Sequence, residues 1–280
     1  MQHIQWFPGH MTKAMRMMED NVKLCDGIIM ILDARAPFSC INEKLNKLFE
    51  HRPVLYVLNK SDLVERKDIA FTINKLKEEG KKAVSVIGTD KKAVNGLYNE
   101  IFSMLSEKLE RNKAKGIFKP LRIMVAGIPN TGKSTIINTL SGAKKAVTGD
   151  KAGVTKGKQW VKLYDLELLD TPGTMPPSFA DQNKARHLAY IGSINDDILD
   201  MEELALELIK DLKVIAPKAF MEKYKLDSMD KEGLAIFDDV CKKRGFLLRG
   251  GESDYTRCSR AIIDDFRKQR IGKICLEVTP

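Results

Sequence analysis

Long apolar runs, paired cysteines and a targeting segment are all missing from this sequence. No run of about 18 apolar residues occurs, so no membrane-spanning helix is expected. The five cysteines are scattered and never spaced C-x-x-C, which argues against a disulfide framework and a zinc site. The first residues resemble neither a secretory signal nor an Arg- and Ser-rich transit peptide. We therefore expect a cytoplasmic protein with reduced thiols and no membrane partner.

An acidic excess is also missing, and the basic charge is unevenly distributed. The 280 residues carry a net charge of +9. Residues 1–180 hold 29 Lys and Arg against 19 Asp and Glu, and residues 241–280 hold 10 against 5. A basic surface with a basic tail is typical of a protein that binds a polyanion such as RNA. A lysine-rich surface that serves only solubility explains the charge equally well.

Short apolar runs alternate with helical patterns in the first part of the chain. The runs are 27–32, 53–58, 82–87 and 121–126, and the helical patterns are 42–50, 67–79 and about 94–112. Such alternation is typical of βαβ units with buried parallel strands. A strand pair follows at 159–169, and 181–271 is mostly helical. We predict an α/β domain over 1–177, N-terminal helix included, with a doubly wound, mostly parallel sheet, and a smaller all-α domain over 178–280.

A glycine-rich loop follows the fourth apolar run. Residues 127–134 have the form G-x-x-x-x-G-K-S, in which inward-facing backbone N–H groups bind phosphate between a strand and a helix. Lys133 is expected to contact the β- and γ-phosphates during catalysis, and Ser134 to bind Mg²⁺. The strand–loop–helix context argues against a plain glycine-rich turn. The predicted nucleotide contacts in this segment are Pro129, Asn130, Thr131, Gly132, Lys133, Ser134 and Thr135.

Two further elements are expected on the phosphate side. The sequence D-T-P-G at 170–173 ends an apolar strand, as a Walker B aspartate does. Asp170 is predicted to hold Mg²⁺, and the backbone N–H of Gly173 to reach the γ-phosphate as a binding and catalytic contact. Thr155 lies between the two phosphate elements and is the predicted switch residue on Mg²⁺ and the γ-phosphate, although nearby Ser and Thr compete for that role.

A guanine-recognition motif precedes the phosphate loop. Residues 59–62 have the form N-K-x-D, and the Asp62 carboxylate can accept from both N–H groups of the guanine edge, a pair that adenine lacks. Asn59 is expected to contact the base and bridge to the loop, Lys60 to stack on the base, and Ser85 to be a third base contact.

The order of these motifs is the reverse of that in ordinary GTPases, where N-K-x-D follows the phosphate loop. We therefore predict a circularly permuted Ras-like P-loop GTPase that binds GTP, GDP and Mg²⁺. A metabolic P-loop kinase is a distant alternative, because N-K-x-D has no purpose there. In this order D-T-P-G leads directly into the C-terminal helices. The C-terminal helices would then respond directly to which nucleotide is bound. A GTP analogue, unlike GDP, would change hydrogen exchange in residues 178–200.

Additional motifs lie outside the nucleotide site. They are Q-W-F-P-G-H-M at 5–11, D-A-R-A-P at 33–37, Q-W-V at 159–161, K-R-G at 243–245 and G-G at 250–251. Together with the permuted order they resemble the RbgA/YlqF family of ribosome-assembly GTPases over essentially the whole chain. The resemblance implies a role in late maturation of the large ribosomal subunit. It also implies binding to the pre-ribosomal particle and its ribosomal RNA. We expect a monomer.

The glutamine that orients the attacking water in Ras-like enzymes is missing, because Thr174 and Met175 follow Gly173. The resemblance implies His10 instead, since a neutral imidazole can orient a water or accept its proton. A His10 that only caps or packs against the first helix is the alternative. GTPases of similar pattern use an Asn at the position of Asn130 to help bind K⁺, and we favour that role over the alternative of a loop-stabilising Asn.

Basic residues near the end of the chain are the predicted RNA contacts, although plain solvated charge is an alternative. They are Lys242, Lys243, Arg244, Arg257, Arg260, Arg267, Lys268, Arg270 and Lys273. Two functions therefore remain open. One is a GTPase switch that binds the pre-ribosomal particle and leaves after hydrolysis. The other is an RNA-binding scaffold that GTP only orders, which the particle would neither stimulate nor release.

Overall fold

Strands and helices alternate through the first part of the chain, and helices follow. The computed structural model describes residues 3–142, 159–163 and 165–278. The strands are β1 (Gly27–Asp33), β2 (Val54–Asn59), β3 (Lys82–Ser85), β4 (Leu121–Ala126), β5 (Gln159–Lys162) and β6 (Leu166–Asp170). The helices are α1 (Gly9–Val22), α2 (Glu43–Phe49), α3 (Arg66–Glu78), α4 (Lys91–Met104), α5 (Ser106–Ala114), α6 (Lys133–Ser141), α7 (Gln182–Tyr190), α8 (Met201–Ile215), α9 (Pro217–Tyr224), α10 (Gly233–Arg244) and α11 (Tyr255–Arg267).

The six strands form one sheet in the order β3-β2-β1-β4-β6-β5. All neighbours are parallel except β5, which pairs antiparallel with β6 at one edge. The predicted α/β fold with a mostly parallel sheet is confirmed. The chain builds outward from β1 through β2 and β3, then starts again on the other side of β1 with β4. The strand order therefore reverses between β1 and β4, and ligands bind in such crevices beyond the carboxyl ends of the strands.

The sheet is covered on both faces, which explains why its strands are apolar throughout. All seven residues of β1 are buried. Met30 and Leu32 belong to a cluster with α1 and α2, whereas Ile29 and Ile31 belong to a cluster with α4 and α6. The alternation follows from the two-residue period of a strand. Each such side chain contributes about 2 kcal/mol through removal from water.

The C-terminal helices pack on the same side of the sheet as α1 and α2. Their inward side chains, such as Leu208 on α8 and Ile262 on α11, join one hydrophobic cluster that extends from Ile4 to Leu276. The predicted domain boundary at 177 lies between β6 and α7, and the division into two domains stays a prediction. All five cysteines are buried and unpaired, as expected. Within the described ranges, no helix is long and apolar enough to cross a membrane.

Two helix boundaries differ from the sequence patterns. The first helix begins at Gly9 after Pro8, whose extended backbone (φ −66°, ψ 153°) ends the preceding segment, so Thr12, a residue type that favours the N-cap position, lies inside the helix. The predicted helix at 94–112 is two helices that meet at Leu105. Helix α7 is not among the clearest periodic stretches. It begins where the Asp181 side chain accepts from the backbone N–H groups of its first turn.

Candidate functional site

The predicted nucleotide motifs meet at one edge of the sheet. N-K-x-D begins at the last residue of β2, the phosphate loop follows β4, and D-T-P-G begins at the last residue of β6. Because these strands are parallel, their carboxyl ends lie at the same edge. The motifs are far apart along the chain, yet they surround the point where the strand order reverses.

The phosphate loop has its residues in unusual backbone conformations. Asn130 has φ 61° and Gly132 has φ 93°, and a left-handed backbone favours glycine. A side chain at Gly132 would also collide with the Asn59 amide. The Thr131 hydroxyl donates to Ile128 O (3.1 Å) across the loop. The loop is therefore compact, which is the form that a phosphate-binding loop needs if its N–H groups are to surround phosphate.

Lys133 lies inside this loop at the start of α6. Its ammonium is buried and donates to Ile128 O (2.7 Å). Burial lowers the pKa of Lys133 to about 8, and Asp170 opposes part of that fall. A buried ammonium with a single described hydrogen-bond acceptor is poorly compensated. A phosphate oxygen would supply the missing negative charge, as expected for the predicted contact with the β- and γ-phosphates.

Ser134 and Asp170 lie side by side and carry oxygen atoms that suit Mg²⁺. The Ser134 hydroxyl donates to Asp170 Oδ2 (3.0 Å), whereas Asp170 Oδ1 is buried and has no hydrogen-bond partner in the described part of the chain. Burial raises the pKa of the Asp170 carboxyl, and Lys133 and Ser134 lower it. Hydroxyl and carboxylate oxygens are ligands that Mg²⁺ prefers, directly or through water. These two residues fit the ion, which would neutralise charge on the phosphates of a bound nucleotide.

D-T-P-G packs directly against the phosphate loop. A Cβ on Gly173 would lie 2.5 Å from Pro129 N, so only glycine allows this approach. The Thr174 hydroxyl is buried and has no hydrogen-bond partner in the described part of the chain. Thr135 lies half-buried on α6. The predicted switch residue Thr155 lies outside the described residues.

N-K-x-D is tied to the phosphate loop by two side chains. Asn59 is buried, its amide nitrogen donates to Thr131 O (2.7 Å), and its Oδ1 accepts from Gly88 N (2.8 Å). The Lys60 ammonium donates to Asn130 O (2.8 Å). Asn59 thus bridges to the loop as expected. Lys60 is anchored on the loop backbone, and this position leaves its stem beside the predicted base site.

Asp62 and Ser85 have different positions relative to that site. Asp62 is exposed, and its backbone O accepts from Gln269 Nε2 (3.0 Å). Ser85 is exposed at the end of β3, where it pairs with Leu58. Gly88 contacts the motif directly, because its N–H donates to Asn59 Oδ1 (2.8 Å). The base contact at Ser85 stays a prediction.

A buried ion network beside N-K-x-D was not predicted. Arg35 binds Asp33 through two side-chain hydrogen bonds (2.9 and 2.7 Å), and Lys60 Nζ lies 2.9 Å from Asp33 Oδ2. Burial alone would raise the pKa of Asp33, but the two cations hold it below its usual value. Arg35 also donates to Ile191 O (3.3 Å) and Arg267 O (3.2 Å). The D-A-R-A-P motif thus connects Lys60 to the C-terminal helices, and the motif itself was the only sequence signal.

His10 is exposed near the start of α1. The next residue, Met11, is buried and its sulfur accepts from Met175 N (3.4 Å). The Gln5 side chain also bonds to the Phe179 backbone: its Oε1 accepts from Phe179 N (3.3 Å), and its Nε2 donates to Phe179 O (3.5 Å). The segment before α1 therefore runs beside the chain that follows D-T-P-G. His10 makes no hydrogen bond within the described residues, so it does not cap the helix.

The C-terminal basic residues do not form one uniform surface. Arg244 and Arg257 lie over the Phe246 ring, 5.8 and 4.8 Å from its centroid, and Arg260 is exposed. Lys242, Lys243, Lys268 and Arg270 are exposed and pair with neighbouring aspartates, and Lys273 is also exposed. Arg267 is different because its guanidinium is engaged within the protein, and an RNA contact for it stays a prediction. Its guanidinium donates four hydrogen bonds within the protein, to Ala189 O, Tyr190 O and the Asp196 carboxylate.

Known proteins resemble the chain in sequence and in fold. A family model described as 50S ribosome-binding GTPase matches residues 122–233, a range that begins in β4 and leaves N-K-x-D outside. A protein of Bacillus cereus named Ribosome biogenesis GTPase A is 37% identical over 276 residues, which cover 98% of this chain and 93% of that protein. A Thermotoga maritima protein of the same name is 30% identical over 98% of this chain and 94% of its own length. The solved structure of GNP-bound YlqF from T. maritima covers 95% of this chain and 97% of its own, with a TM-score of 0.65 and 24% identity.

Proposed function

Because the chain belongs to the ribosome biogenesis GTPase A family, we propose that it acts on a precursor of the large ribosomal subunit and leaves that precursor after hydrolysis. The chain is a GTPase assembly factor of ribosome biogenesis, with guanine nucleotide and Mg²⁺ as its ligands. The choice of the large subunit is supported by the description of the matching family model, which refers to the 50S ribosome. An RNA-binding scaffold is not favoured, since the relatives are named as GTPases.

One contact supports this function more than any other. Asn59 of N-K-x-D donates to Thr131 O of the phosphate loop (2.7 Å) although the motifs occur in reverse order. That hydrogen bond joins guanine recognition to phosphate binding in one crevice. We assign Asp62 to the guanine edge, Lys133 and Gly173 to the phosphates, and Ser134 and Asp170 to Mg²⁺. The role of Thr155 on Mg²⁺ and the γ-phosphate stays a prediction.

The experiment that tests the function is GTP hydrolysis by the purified protein, alone and with large ribosomal subunits. We expect slow turnover alone, strong stimulation by the large subunit, and no activity with ATP. Small ribosomal subunits serve as the matched particle control. Tight guanine nucleotide binding with no stimulation would contradict the ribosome-coupled switch and return the scaffold to favour.

We also infer that K⁺ is a cofactor and that Asn130 helps to bind it. The Asn130 amide nitrogen donates to Gly192 O (2.7 Å), so the amide is oriented by the fold and its oxygen is the end that would bind a cation. Hydrolysis in K⁺ should exceed hydrolysis in Na⁺ at equal ionic strength, and equal rates would remove this role.

We expect the protein to work as a monomer in the cytoplasm. Light scattering measures its oligomeric state, and cell fractionation measures its location.

His10 is the residue we propose to position the attacking water. His10→Ala should lower subunit-stimulated turnover by about a hundredfold, which is typical of a lost general acid–base group. Nucleotide affinity should stay unchanged, because His10 is exposed and makes no described hydrogen bond. His3→Ala, another exposed histidine of the same segment, is the control. Wild-type turnover in His10→Ala would end the proposal.

We propose as RNA contacts the exposed Arg244 and Arg257, which lie over the Phe246 ring, and the exposed Arg260 on α11. Arg260→Ala should weaken binding to the ribosomal particle and lower its salt dependence by about one ion per lost phosphate contact. Arg66→Ala on α3 removes the same charge from an exposed position elsewhere. If both variants changed the salt dependence equally, the effect would be one of net charge and not of a specific contact.

A further inference from the structure

A turn of the C-terminal helical region is docked on the phosphate loop. This α7 turn, residues 191–193, closes α7 through hydrogen bonds from Gly192 N to Ala189 O (3.0 Å) and from Ser193 N to Leu188 O (2.9 Å). The Ser193 hydroxyl donates to Pro129 O (2.8 Å), and Gly192 O accepts from the Asn130 amide nitrogen (2.7 Å). Two consecutive residues of the α7 turn therefore hold two consecutive residues of the loop.

The Ser193 contact is enclosed on all sides. Ser193 is 1% exposed, so its hydroxyl has no water to bond instead. Pro129 also packs against Gly173 of D-T-P-G, where a Cβ would lie 2.5 Å from Pro129 N. The first part of the phosphate loop therefore contacts both D-T-P-G and the α7 turn. Removing the serine hydroxyl would leave a buried carbonyl unpaired.

Two arginines fix the α7 turn to the remainder of the fold. Arg267, at the end of α11, donates to Ala189 O (2.8 Å) and Tyr190 O (3.0 Å) and binds Asp196 through both nitrogens of its fork. Arg35 donates to Ile191 O and to Arg267 O. The carbonyls that end α7 are therefore held by a guanidinium from α11 and by one from the Asp33 network.

We propose that Ser193 and Gly192 are positioning residues of the nucleotide site, and that Arg267 connects α11 to that site through the α7 turn. The proposal rests on the guanine nucleotide binding assigned above and adds a route of regulation to it. A loop held in its binding shape loses less conformational entropy when the phosphates bind, which raises affinity. By reciprocity, nucleotide binding should tighten the α7 turn, and a partner that moves α11 should change nucleotide affinity.

This route differs from simple continuity of the chain after D-T-P-G. Continuity predicts that the helices sense only the γ-phosphate, and hence respond to GTP but not to GDP. The α7 turn contacts Pro129 and Asn130, at the start of the phosphate loop, where any nucleotide with a diphosphate engages the backbone. The proposal therefore predicts coupling to GDP as well as to GTP.

The test is the affinity of Ser193→Ala for fluorescent GDP and GTP in the isolated protein. We expect both dissociation constants to rise about fivefold, mainly through faster dissociation, because a buried carbonyl loses its partner. Ser259→Ala is the matched control: Ser259 is also fully buried, but its hydroxyl bonds only to Thr256 O within α11 (3.0 Å). Thermal denaturation of both variants shows whether they lose similar stability.

Equal affinities of Ser193→Ala and wild type would overturn the proposal, and so would an equal loss of affinity in both serine variants. If Ser193→Ala does not fold, Arg267→Lys replaces it. This lysine retains a charge toward Asp196 but lacks the fork that holds two carbonyls. It should also raise both dissociation constants, and unchanged affinity would be equally decisive. No ribosome is present in these measurements, so their failure is distinct from failure of the ribosomal role.

Discussion

Replacing Lys133 with alanine should lower kcat/KM for GTP by about a hundredfold to a thousandfold, the range found when one preorganised donor to a developing charge is removed. The physical reason is the position of the ammonium, which is buried in the phosphate loop and held on Ile128 O at 2.7 Å. The fold should survive the change, because burial already disfavours the charged lysine and lowers its pKa. Steady-state kinetics together with thermal denaturation measure both effects. A large loss of stability without bound nucleotide would contradict this account.

Lys133→Arg is the control variant, and the property to compare between it and the wild type is the pH dependence of GDP affinity. In the free protein the pKa of Lys133 is lowered to about 8 by burial. Below that pH the ammonium is already present, whereas above it the lysine must take up a proton before it can pair with phosphate. Wild-type affinity should therefore fall as pH rises from about 7.5 to 9. Arginine stays charged throughout this range, so its affinity, although weaker, should change much less. Parallel profiles would assign the pH effect to another group.

Asp62→Asn should change the nucleotide that the protein prefers. The variant should lose about a thousandfold in GTP affinity. The carboxylate can accept hydrogen bonds from both guanine N–H groups, whereas the amide of the variant would place a donor against one of them. Xanthosine triphosphate has a carbonyl where guanine has its amino group, so its affinity should rise. Because Asp62 is exposed and makes no described side-chain hydrogen bond, the fold should be unaffected.

Competition binding with GTP and xanthosine triphosphate measures this exchange. Asp90→Asn is the matched control, because Asp90 is exposed and caps α4 by accepting from Lys92 N (2.8 Å), a role that asparagine also fills. The control should keep its preference for GTP. If Asp62→Asn kept that preference too, N-K-x-D would not be the guanine-recognition motif and the permuted arrangement would lose its main support.

Local patterns were sufficient to predict the strands, most helices and the nucleotide motifs. The burial of β1 on both faces appears directly in its apolar run, and the phosphate loop is defined by the spacing of Gly127, Gly132 and Lys133. Helix ends were less predictable. Threonine favours the N-cap position, yet Thr12 lies inside α1, because the proline before Gly9 decides where the helix begins.

Apart from the bridge made by Asn59, contacts between distant segments could not be predicted from the same patterns. Ser85 was predicted as a base contact at the end of a strand, and β3 does end there beside Leu58, but the contact of Gly88 N with Asn59 Oδ1 was not predicted. Arg267 was counted as a surface charge because its helix is basic, whereas the fold turns it toward the end of α7. Ser193 belongs to no motif, so nothing in the sequence connects it with Pro129. Such contacts depend on how helices pack, which no periodicity encodes.

The contacts made by α11 also restrict when this protein can begin to work during its own synthesis. The phosphate loop emerges from the translating ribosome long before Arg267, and Leu276 N, which donates to Arg35 O at 2.8 Å, emerges later still. Domains generally fold as units while the chain lengthens. A nascent chain that ends before α11 would have its guanine and phosphate motifs, joined by Asn59, but not Arg267, which fixes the α7 turn on the phosphate loop. Nucleotide capture should therefore be a late event, delayed until the last helix has left the exit tunnel.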